Sequence, residues 1–240
     1  MSKHDIKELL INNEYPGRGI VTGQTEDGKC AVAAYFIMGR SENSRNRVFV
    51  REEDTVMIHP FDPAKLSDPS LVIYAPLRTF KNNLIVTNGD QTDTIYASLS
   101  VGGTFDSALQ SRRFEPDAPN FTPRISAMLT FTEGAFSYKM SILKSADESG
   151  TKCSRFTFDY EPLCGTGHFI HTYRCDGNPI PSFTGEPSCV TVPDDIDTFT
   201  NDIWKSLNPQ NKVSLYVRYT YLETGGFEDR LINKNKRKVI

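Results

Sequence analysis

Runs of apolar residues along the chain predict a protein built mainly of β-strands. "IVTGQ" and "CAVAAYFIM" flank a turn at "EDGK" and predict a hairpin over residues 20–38. The second of these strands is apolar on both faces, which is typical of a sheet covered on both sides. An alternating pattern in "SRFTFDYE" and "HFIHTYRC" indicates a further pair of strands. The remaining predicted strands are "RVFVRE", "SLVIYAPLRTF", "NLIVTNG", "PRISAMLTFT", "FSYKMSILK" and "KVSLYVRYTYL".

Three segments have the 3.6-residue apolar spacing of a helix. Residues 5–12 combine an Asp5 cap and Glu8 with one apolar stripe, and residues 93–112 follow the polar segment "NGDQTDT". The third helix is predicted at 195–207. We therefore expect one α+β domain over residues 1–240, with stacked sheets sandwiched by helices. Residues 1–13 are an N-terminal helical extension, and 225–240 are predicted to be a solvated basic tail.

Charge and composition narrow the classes of function. The 240-residue chain has a formal net charge of -3, so no overall positive field would attract a nucleic acid polymer. No run of about 18 apolar residues predicts a membrane span. The five cysteines form no Cys-x-x-Cys pair, and the chain has no secretion signal. These features predict reduced thiols and a cytoplasmic location.

Four polar segments lie at the ends of apolar strands, where binding residues commonly concentrate. Two or three arginines of "GRSENSRNR" could neutralise a phosphate, or they could form a solvated loop paired with glutamates. "TNGDQTDT" could hold a ribose hydroxyl or a base, or it could be only a strand exit followed by a helix cap. The segments are "GRSENSRNR" (39–47), "YAPLR" (74–78), "TNGDQTDT" (87–94) and "RRFEPDAPNFTPR" (112–124).

Single residues in and near these segments have two interpretations each. Tyr74 could be a core tyrosine or a donor to a developing oxyanion, and Glu115 could be solvated or held among arginines. His168 and His171 would lie on opposite faces of one strand, which argues against a shared metal ion. The chain has no Walker loop, dinucleotide-binding glycine motif or nucleophile elbow, and we predict no cofactor.

Taken together, the motifs resemble the archaeal-type IMP cyclohydrolase family. The resemblance is carried by "YPGRGIV", "GRSENSRNR", "YAPLR", "TNGDQTDTI", "FEPD" and "TPRI", in family order from about Tyr15 to Ile125. It continues more loosely through "TFDYEP" at 157–162. The resemblance implies a four-layer αββα sandwich like that of N-terminal nucleophile hydrolases, without self-processing. Because Tyr15 is internal, a terminal nucleophile there would require cleavage of the chain.

The resemblance also implies a reaction, a purine mononucleotide as substrate and a set of residues. The family closes the ring of 5-formamidoimidazole-4-carboxamide ribonucleotide to inosine monophosphate, with loss of water. Tyr74 and Arg47 would stabilise the formyl oxygen, and Glu115 would orient or accept the amide proton. The matching catalytic positions are Arg47, Tyr74 and Glu115, and the predicted substrate-binding positions are Arg40, Ser41, Asn46, Asn88, Gly89, Thr92, Asp93 and Arg124.

Two alternatives and one unassigned segment accompany this interpretation. The chain could be a catalytically silent purine-nucleotide-binding protein on the same fold, or a different amidohydrolase. Residues 160–195 depart from the family pattern and could form a lid, form an oligomer contact or admit another substrate. We expect a homo-oligomer.

Overall fold

The computed structural model describes residues 3–65 and 73–236, which contain two antiparallel sheets and several short helices. The first sheet has the strand order β11-β10-β1-β2-β12-β13, and the second has the order β3-β4-β5-β6-β7-β8-β9. The strands are β1 Arg18–Gln24, β2 Cys30–Met38, β3 Val48–Glu52, β4 Thr55–His59, β5 Leu77–Phe80, β6 Asn83–Thr87, β7 Arg124–Thr132, β8 Ala135–Ser145, β9 Cys153–Tyr160, β10 Thr166–His171, β11 Ser188–Thr191, β12 Lys212–Tyr221 and β13 Phe227–Asn233. The helices are α1 Ile6–Ile11, α2 Glu42–Arg45, α3 Gln91–Ser100, α4 Phe105–Gln110 and α5 Ile196–Ser206, with a 3₁₀ turn at Pro63–Lys65.

Strand β2 explains how the two sheets stack. Every residue of β2 is buried, and its side chains alternate between two separate apolar clusters. Tyr35 and Ile37 belong to the core between the sheets, whereas Phe36 and Met38 face the helices on the other side. The prediction of a β2 strand buried on both faces is confirmed.

Helices cover the outer faces of both sheets. Ile6 and Leu10 of α1 and Phe199 of α5 pack in the outer cluster of the first sheet. Ile95 of α3 and Phe105 of α4 pack with strands of the second sheet. The predicted α+β class is confirmed.

The helix predicted at 93–112 is in fact two helices. Gly102 has φ +82° and ends the first helix without steric cost. Thr104 then caps α4 through a reciprocal capping box with Ser107. The apolar spacing continues across this break because both helices pack on the same sheet, and for that reason the pattern could not reveal it.

The two strands predicted in "SRFTFDYE" and "HFIHTYRC" are present as β9 and β10, but they lie in different sheets, since β9 pairs with β8 and β10 with β1. Their contact is instead between side chains, since the Tyr160 ring stacks on His168 with 3.6 Å between centroids. In "SLVIYAPLRTF" the strand begins only at Leu77, after Pro76, which lacks an N–H for a ladder. Residues 70–72 of that stretch lie outside the described ranges.

The predicted basic tail at 225–240 contains a strand. Phe227–Asn233 forms β13, which pairs with β12 along seven positions and extends the first sheet. Its residues are half-buried and mix charged with apolar side chains, so the segment resembles a solvated end in sequence. Residues 237–240 lie outside the described ranges. Strands β4 and β11 were also not predicted.

No helix within the described ranges is long and apolar enough to cross a membrane.

Candidate active site

Arg18 opens strand β1, and a glycine turn fixes its position. Gly17 has φ +78°, and a Cβ there would lie 2.2 Å from Thr172 Oγ1. The Arg18 backbone N–H donates to the same Thr172 hydroxyl at 3.1 Å. Only glycine fits this close approach, so "PGR" brings Arg18 against the segment that follows β10.

Arg18 and Arg47 are buried cations that form no ion pair with the described residues. Each is 7% exposed. The Nε of each guanidinium also has no hydrogen-bond acceptor in the described part of the chain. Burial and the neighbouring Arg18 charge lower the pKa of Arg47. Although burial acts against it, Tyr15 and Glu115 raise the pKa of Arg18, so Arg47 is the less compensated of the two charges. A ligand that brings acceptor oxygens would offset the cost of burying it.

Two phenols share a hydrogen bond in the core beside these arginines. The hydroxyls of Tyr35 and Tyr74 lie 3.2 Å apart, and both side chains are buried. Burial raises the pKa of Tyr74, while the charges of Arg47 and Arg18 oppose that rise. Burial also holds the pKa of Tyr35 well above its usual value. Both phenols therefore keep their protons near neutral pH and can donate them to an acceptor.

Glu115 lies in a tight loop among three arginines. Its N–H donates to the Thr122 carbonyl at 2.9 Å, and the Asp117 carboxylate accepts from the Thr122 N–H at 2.6 Å. Burial raises the pKa of Glu115, as does Asp117, and the charges of Arg18, Arg124 and Arg47 only partly oppose this. A carboxylate with a raised pKa is a better proton acceptor than a solvated one. Arg47, Tyr74 and Glu115, predicted from separate segments, thus act on one another electrostatically.

Arg124 already has partners within the protein. Its Nη1 donates to Gln91 Oε1 at 2.7 Å and forms an ion pair with Asp90 Oδ1 at 2.7 Å. Arg112 also donates to Asp90, at 2.5 Å. Although burial acts against it, the Arg112 hydrogen bond and the Arg124 charge lower the pKa of Asp90. Asp90 is thus an ionised carboxylate that could exchange with another anion.

Asn88, Gly89 and Thr92 build the loop that supports Arg124. Asn88 Nδ2 donates to the Pro123 carbonyl and its Oδ1 accepts from the Ile125 N–H, both at 2.8 Å. The Thr92 and Thr87 hydroxyls lie 2.6 Å apart, and a Cβ on Gly89 would lie 2.2 Å from Arg124 Nη1. Their observed contacts are therefore internal, and direct binding of substrate by these residues stays a prediction.

Arg40, Ser41 and Asn46 surround the short helix α2. Arg40 pairs with Asp176, donates to the Gly177 carbonyl at 2.8 Å and lies 5.2 Å above the Tyr15 ring. Ser41 is the N-cap of α2. Asn46 is buried, and its amide exchanges two hydrogen bonds with the Asp62 backbone. Of these three residues only Arg40 is charged, and its guanidinium is partly accessible at the surface.

Asp93 is exposed, and its contacts are with Arg78. It accepts from Arg78 Nη1 at 2.8 Å, and both residues line a cleft of about 580 Å³ that reaches Tyr74. Glu52 and Glu53 also line this cleft, so its walls carry more negative than positive charge. An anionic ligand fits the buried arginines better than this cleft.

Residues outside the predicted set complete the site. Arg18 lies in "YPGRGIV", and the sequence pattern that could have indicated its role is a charged residue at the start of a mostly apolar strand. Tyr35 is the single side chain with a polar tip in "CAVAAYFIM", which was a usable signal. Tyr173 donates to or accepts from Thr122 Oγ1 at 2.5 Å, and no local pattern indicated it.

The described residues contain no group of three or more histidine, cysteine, aspartate or glutamate side chains arranged to hold a metal ion. His168 contacts Tyr138 at 2.6 Å, whereas His171 contacts the Tyr173 carbonyl at 2.8 Å. The expectation that the two histidines point to opposite faces is confirmed.

Comparison with known proteins finds a family model and several relatives that match this chain. The family model described as IMP cyclohydrolase-like protein matches residues 15–225. The IMP cyclohydrolase of Methanopyrus kandleri is 38% identical over 116 residues, which are 47% of this chain and 57% of that protein. The IMP cyclohydrolase of Methanococcus aeolicus is 33% identical over 119 residues, 48% of this chain and 58% of that protein. That of Methanocaldococcus jannaschii is 31% identical over 126 residues, 52% of this chain and 61% of that protein.

The matched regions therefore span about three fifths of the length of these curated relatives. The family model extends further along this chain and includes every predicted site residue from Arg40 to Arg124. With that match, the chain belongs to the IMP cyclohydrolase-like protein family.

Proposed function

We propose that this protein closes the purine ring of 5-formamidoimidazole-4-carboxamide ribonucleotide to give inosine monophosphate and water. The observation that carries the proposal is the pair of buried guanidiniums, Arg18 and Arg47, whose Nε atoms lack acceptors in the described part of the chain, beside the protonated Tyr74 phenol. Donors of this kind suit negative charge that develops on an oxygen during a reaction. The names of the archaeal relatives support the same assignment.

The chemistry divides among three side chains. The carboxamide nitrogen bonds to the formyl carbon, and the formyl oxygen gains negative charge that Arg47 and Tyr74 stabilise by donation. Glu115 accepts the proton that the carboxamide nitrogen loses, and its raised pKa suits this role. The oxygen receives that proton and, in a second transfer, the proton of the formamido nitrogen. It then leaves as water while the ring double bond forms.

Substrate binding needs a separate partner for the phosphate. Arg40 and Arg124 are our candidates, since each guanidinium is held by one carboxylate, Asp176 or Asp90. A phosphate dianion can replace such a carboxylate with more charge and more acceptor oxygens. Holding the phosphate and the ring together brings the amide and formyl groups close, which supplies much of the acceleration.

We also propose that the two sheets and their outer helices form a four-layer αββα sandwich like that of N-terminal nucleophile hydrolases. Support comes from the separate clusters that pack α1 and α5 on one sheet and α3 and α4 on the other. Superposition of an experimental structure on members of that class would test this. A cytoplasmic location and self-association stay predictions.

The direct test is conversion of the formamido ribonucleotide by purified protein, followed as the growing ultraviolet absorbance of inosine monophosphate. We expect Tyr74→Phe to reduce turnover roughly 100-fold, because a donor to the developing oxyanion is lost. Tyr35→Phe should cost less, since Tyr35 acts on the substrate only through Tyr74. Equal turnover in Tyr74→Phe and wild type would remove Tyr74 from the chemistry.

A silent nucleotide-binding protein would give a different result. Inosine monophosphate would then raise the thermal unfolding temperature by mass action, while no product formed from the formamido ribonucleotide. If neither product formation nor thermal stabilisation is observed, both functions are rejected for this chain.

A further inference from the structure

A second polar cleft lies at the end of the strands away from the arginine cluster. Its volume is about 400 Å³, and it opens between the two sheets. Arg218 of β12, which lines it, pairs with Ala33, whereas Arg18 pairs with Ile37 near the opposite end of β2. Thr79 lines it from strand β5, next to the β5–β6 turn, whereas Arg124 lies beyond the other end of β6. The proposed ring closure does not use this cleft.

Two buried polar atoms in the lining residues lack partners. Arg218 is 6% exposed, and its Nη1 has no acceptor among the described residues. The buried Oγ1 of Thr79 likewise has no hydrogen-bond partner in the described ranges. An unsatisfied buried polar group is unfavourable, and two of them in residues that line one cleft indicate a ligand with an acceptor atom.

Arg218 is held rigidly, so its free donor has a fixed place. Its Nε donates to Thr220 Oγ1 at 3.3 Å, and the guanidinium carbon lies 3.6 Å from the centre of the Phe227 ring. Leu84, Phe131 and Phe227 add apolar wall to the same cleft. Apolar and aromatic walls around a few fixed donors are typical of sites for small organic molecules.

The charges around the cleft select an uncharged ligand. Three carboxylates, of Asp54, Glu133 and Glu223, line it against the two cations Lys81 and Arg218. Burial lowers the pKa of Arg218, and Tyr216, Asp54 and Asp229 partly offset this, so acidic groups of the protein already act on its charge. An anion would meet a rim of net negative charge, and a cation would offer no acceptor to the two free donors.

We propose that this cleft binds a small uncharged planar ring that carries a carbonyl group. The carbonyl oxygen accepts hydrogen bonds from Arg218 Nη1 and Thr79 Oγ1, and the ring packs against Phe131 and Phe227. A purine or pyrimidine base with a carbonyl and an aromatic amide share this chemistry.

Benzamide, benzoate and benzylamine are suitable probes, because they share a ring and differ in their polar group. Ligand-detected NMR titration of the full chain should show saturable benzamide binding in roughly the millimolar range. Benzoate and benzylamine should bind at least about tenfold more weakly. Tighter binding of benzoate than of benzamide would overturn the assignment of an uncharged ligand.

Thr79→Val is the decisive variant, because it removes one hydroxyl and keeps the shape of the side chain. We expect roughly fivefold weaker benzamide binding and no loss of thermal stability, since the hydroxyl has no partner within the protein. Arg218→Met should weaken binding about tenfold or more. If that variant does not fold, Thr79→Val still tests the proposal.

Thr22→Val is the matched control. Thr22 is another buried threonine whose hydroxyl has no partner in the described chain, and it does not line the cleft. Its variant should bind benzamide as wild type does, and so should Tyr74→Phe, which separates this site from the ring-closing chemistry. Absence of saturable benzamide binding, or equal affinity in Thr79→Val and wild type, would reject the proposal.

Discussion

At the scale of single residues, the candidate site consists of charged side chains that are buried away from solvent. Arg18 and Arg47 are buried, with no acceptor for either Nε among the described residues, and Glu115 is held among their charges. Tyr74 keeps its proton because burial outweighs the two guanidiniums. Such an arrangement favours a bound anion or a developing oxyanion over the protein alone.

Glu115 gives a pH prediction. Burial raises its pKa above the ordinary 4.5, so the folded protein binds a proton that the unfolded chain has already lost. The stabilisation from protonated Glu115 is therefore complete below pH 4.5 and is lost as pH rises toward the raised value. Urea unfolding across this range should show wild type losing stability relative to Glu115→Gln, which cannot titrate. Parallel curves for the two proteins would contradict the raised pKa. If Glu115 is the base, turnover should also rise through the same window.

Arg47→Met should separate binding from stability. Methionine fills similar space without a buried charge, so we expect an unfolding temperature at or above that of wild type. A gain of 1 kcal/mol would correspond to roughly 2–4 °C. Binding of the formamido ribonucleotide, whose formyl oxygen Arg47 would contact, should fall at least about tenfold. Arg230→Met, which removes a surface ion pair with Asp197, is the control and should leave nucleotide binding unchanged. A large fall in the unfolding temperature of Arg47→Met would show that Arg47 has a structural partner instead.

At the scale of elements, strand ends and turns position the functional side chains. The turn before β1 places Arg18, and the loop between β6 and α3 supports Arg124 through Asn88 and Gln91. The strands themselves supply rigidity, because β2 and β7 are buried along most of their length. Function therefore depends on a few close backbone approaches.

Gly17→Ala tests the turn before β1. The substitution adds left-handed strain and a contact of 2.2 Å with Thr172, so it should destabilise the fold by more than about 2 kcal/mol and weaken nucleotide binding. Gly134→Ala is the matched control, since Gly134 also has positive φ but no atom within 4 Å of a new Cβ. It should cost only about 1 kcal/mol in unfolding free energy and leave binding intact. Similar losses in both variants would mean that the close approach at Gly17 has no importance.

The sequence was most informative where one element has one strong pattern. The hairpin of β1 and β2, the hairpin of β7 and β8 and helix α5 were predicted because burial and spacing agree. Strand β13 was missed because its residues mix charged and apolar side chains without a strand pattern. The segment forms a strand by pairing with β12, which the sequence pattern does not indicate. The loops of the site were recognised, but Arg18 and Tyr35 were not, because their roles arise from contacts between distant strands.

At the scale of the whole molecule, segments at both ends of the chain are part of the packed structure. Helix α1 precedes the region matched by the family model, yet it packs on the first sheet beside α5. Strand β13 follows that region and extends the same sheet. The described domain is thus larger than its family core.

Leu10→Ala tests whether α1 contributes to stability. Leu10 is 2% exposed and packs in the outer cluster of the first sheet, so its truncation should lower the free energy of unfolding by about 2–5 kcal/mol. The neighbouring Ile11 is 66% exposed, and Ile11→Ala should change it by less than about 0.5 kcal/mol. Chemical denaturation of the two variants measures both changes in the free energy of unfolding. Equal losses in the two variants would show that α1 does not pack on the sheet in solution.

The buried guanidiniums of Arg18 and Arg47 also bear on laboratory practice. Inorganic phosphate and sulfate carry acceptor oxygens of the kind that the two Nε atoms lack among the described residues, so either salt should compete with a nucleotide for them. Affinities measured in phosphate buffer would then be underestimates, and a protein purified in sulfate would be more heat-resistant than the same protein in chloride.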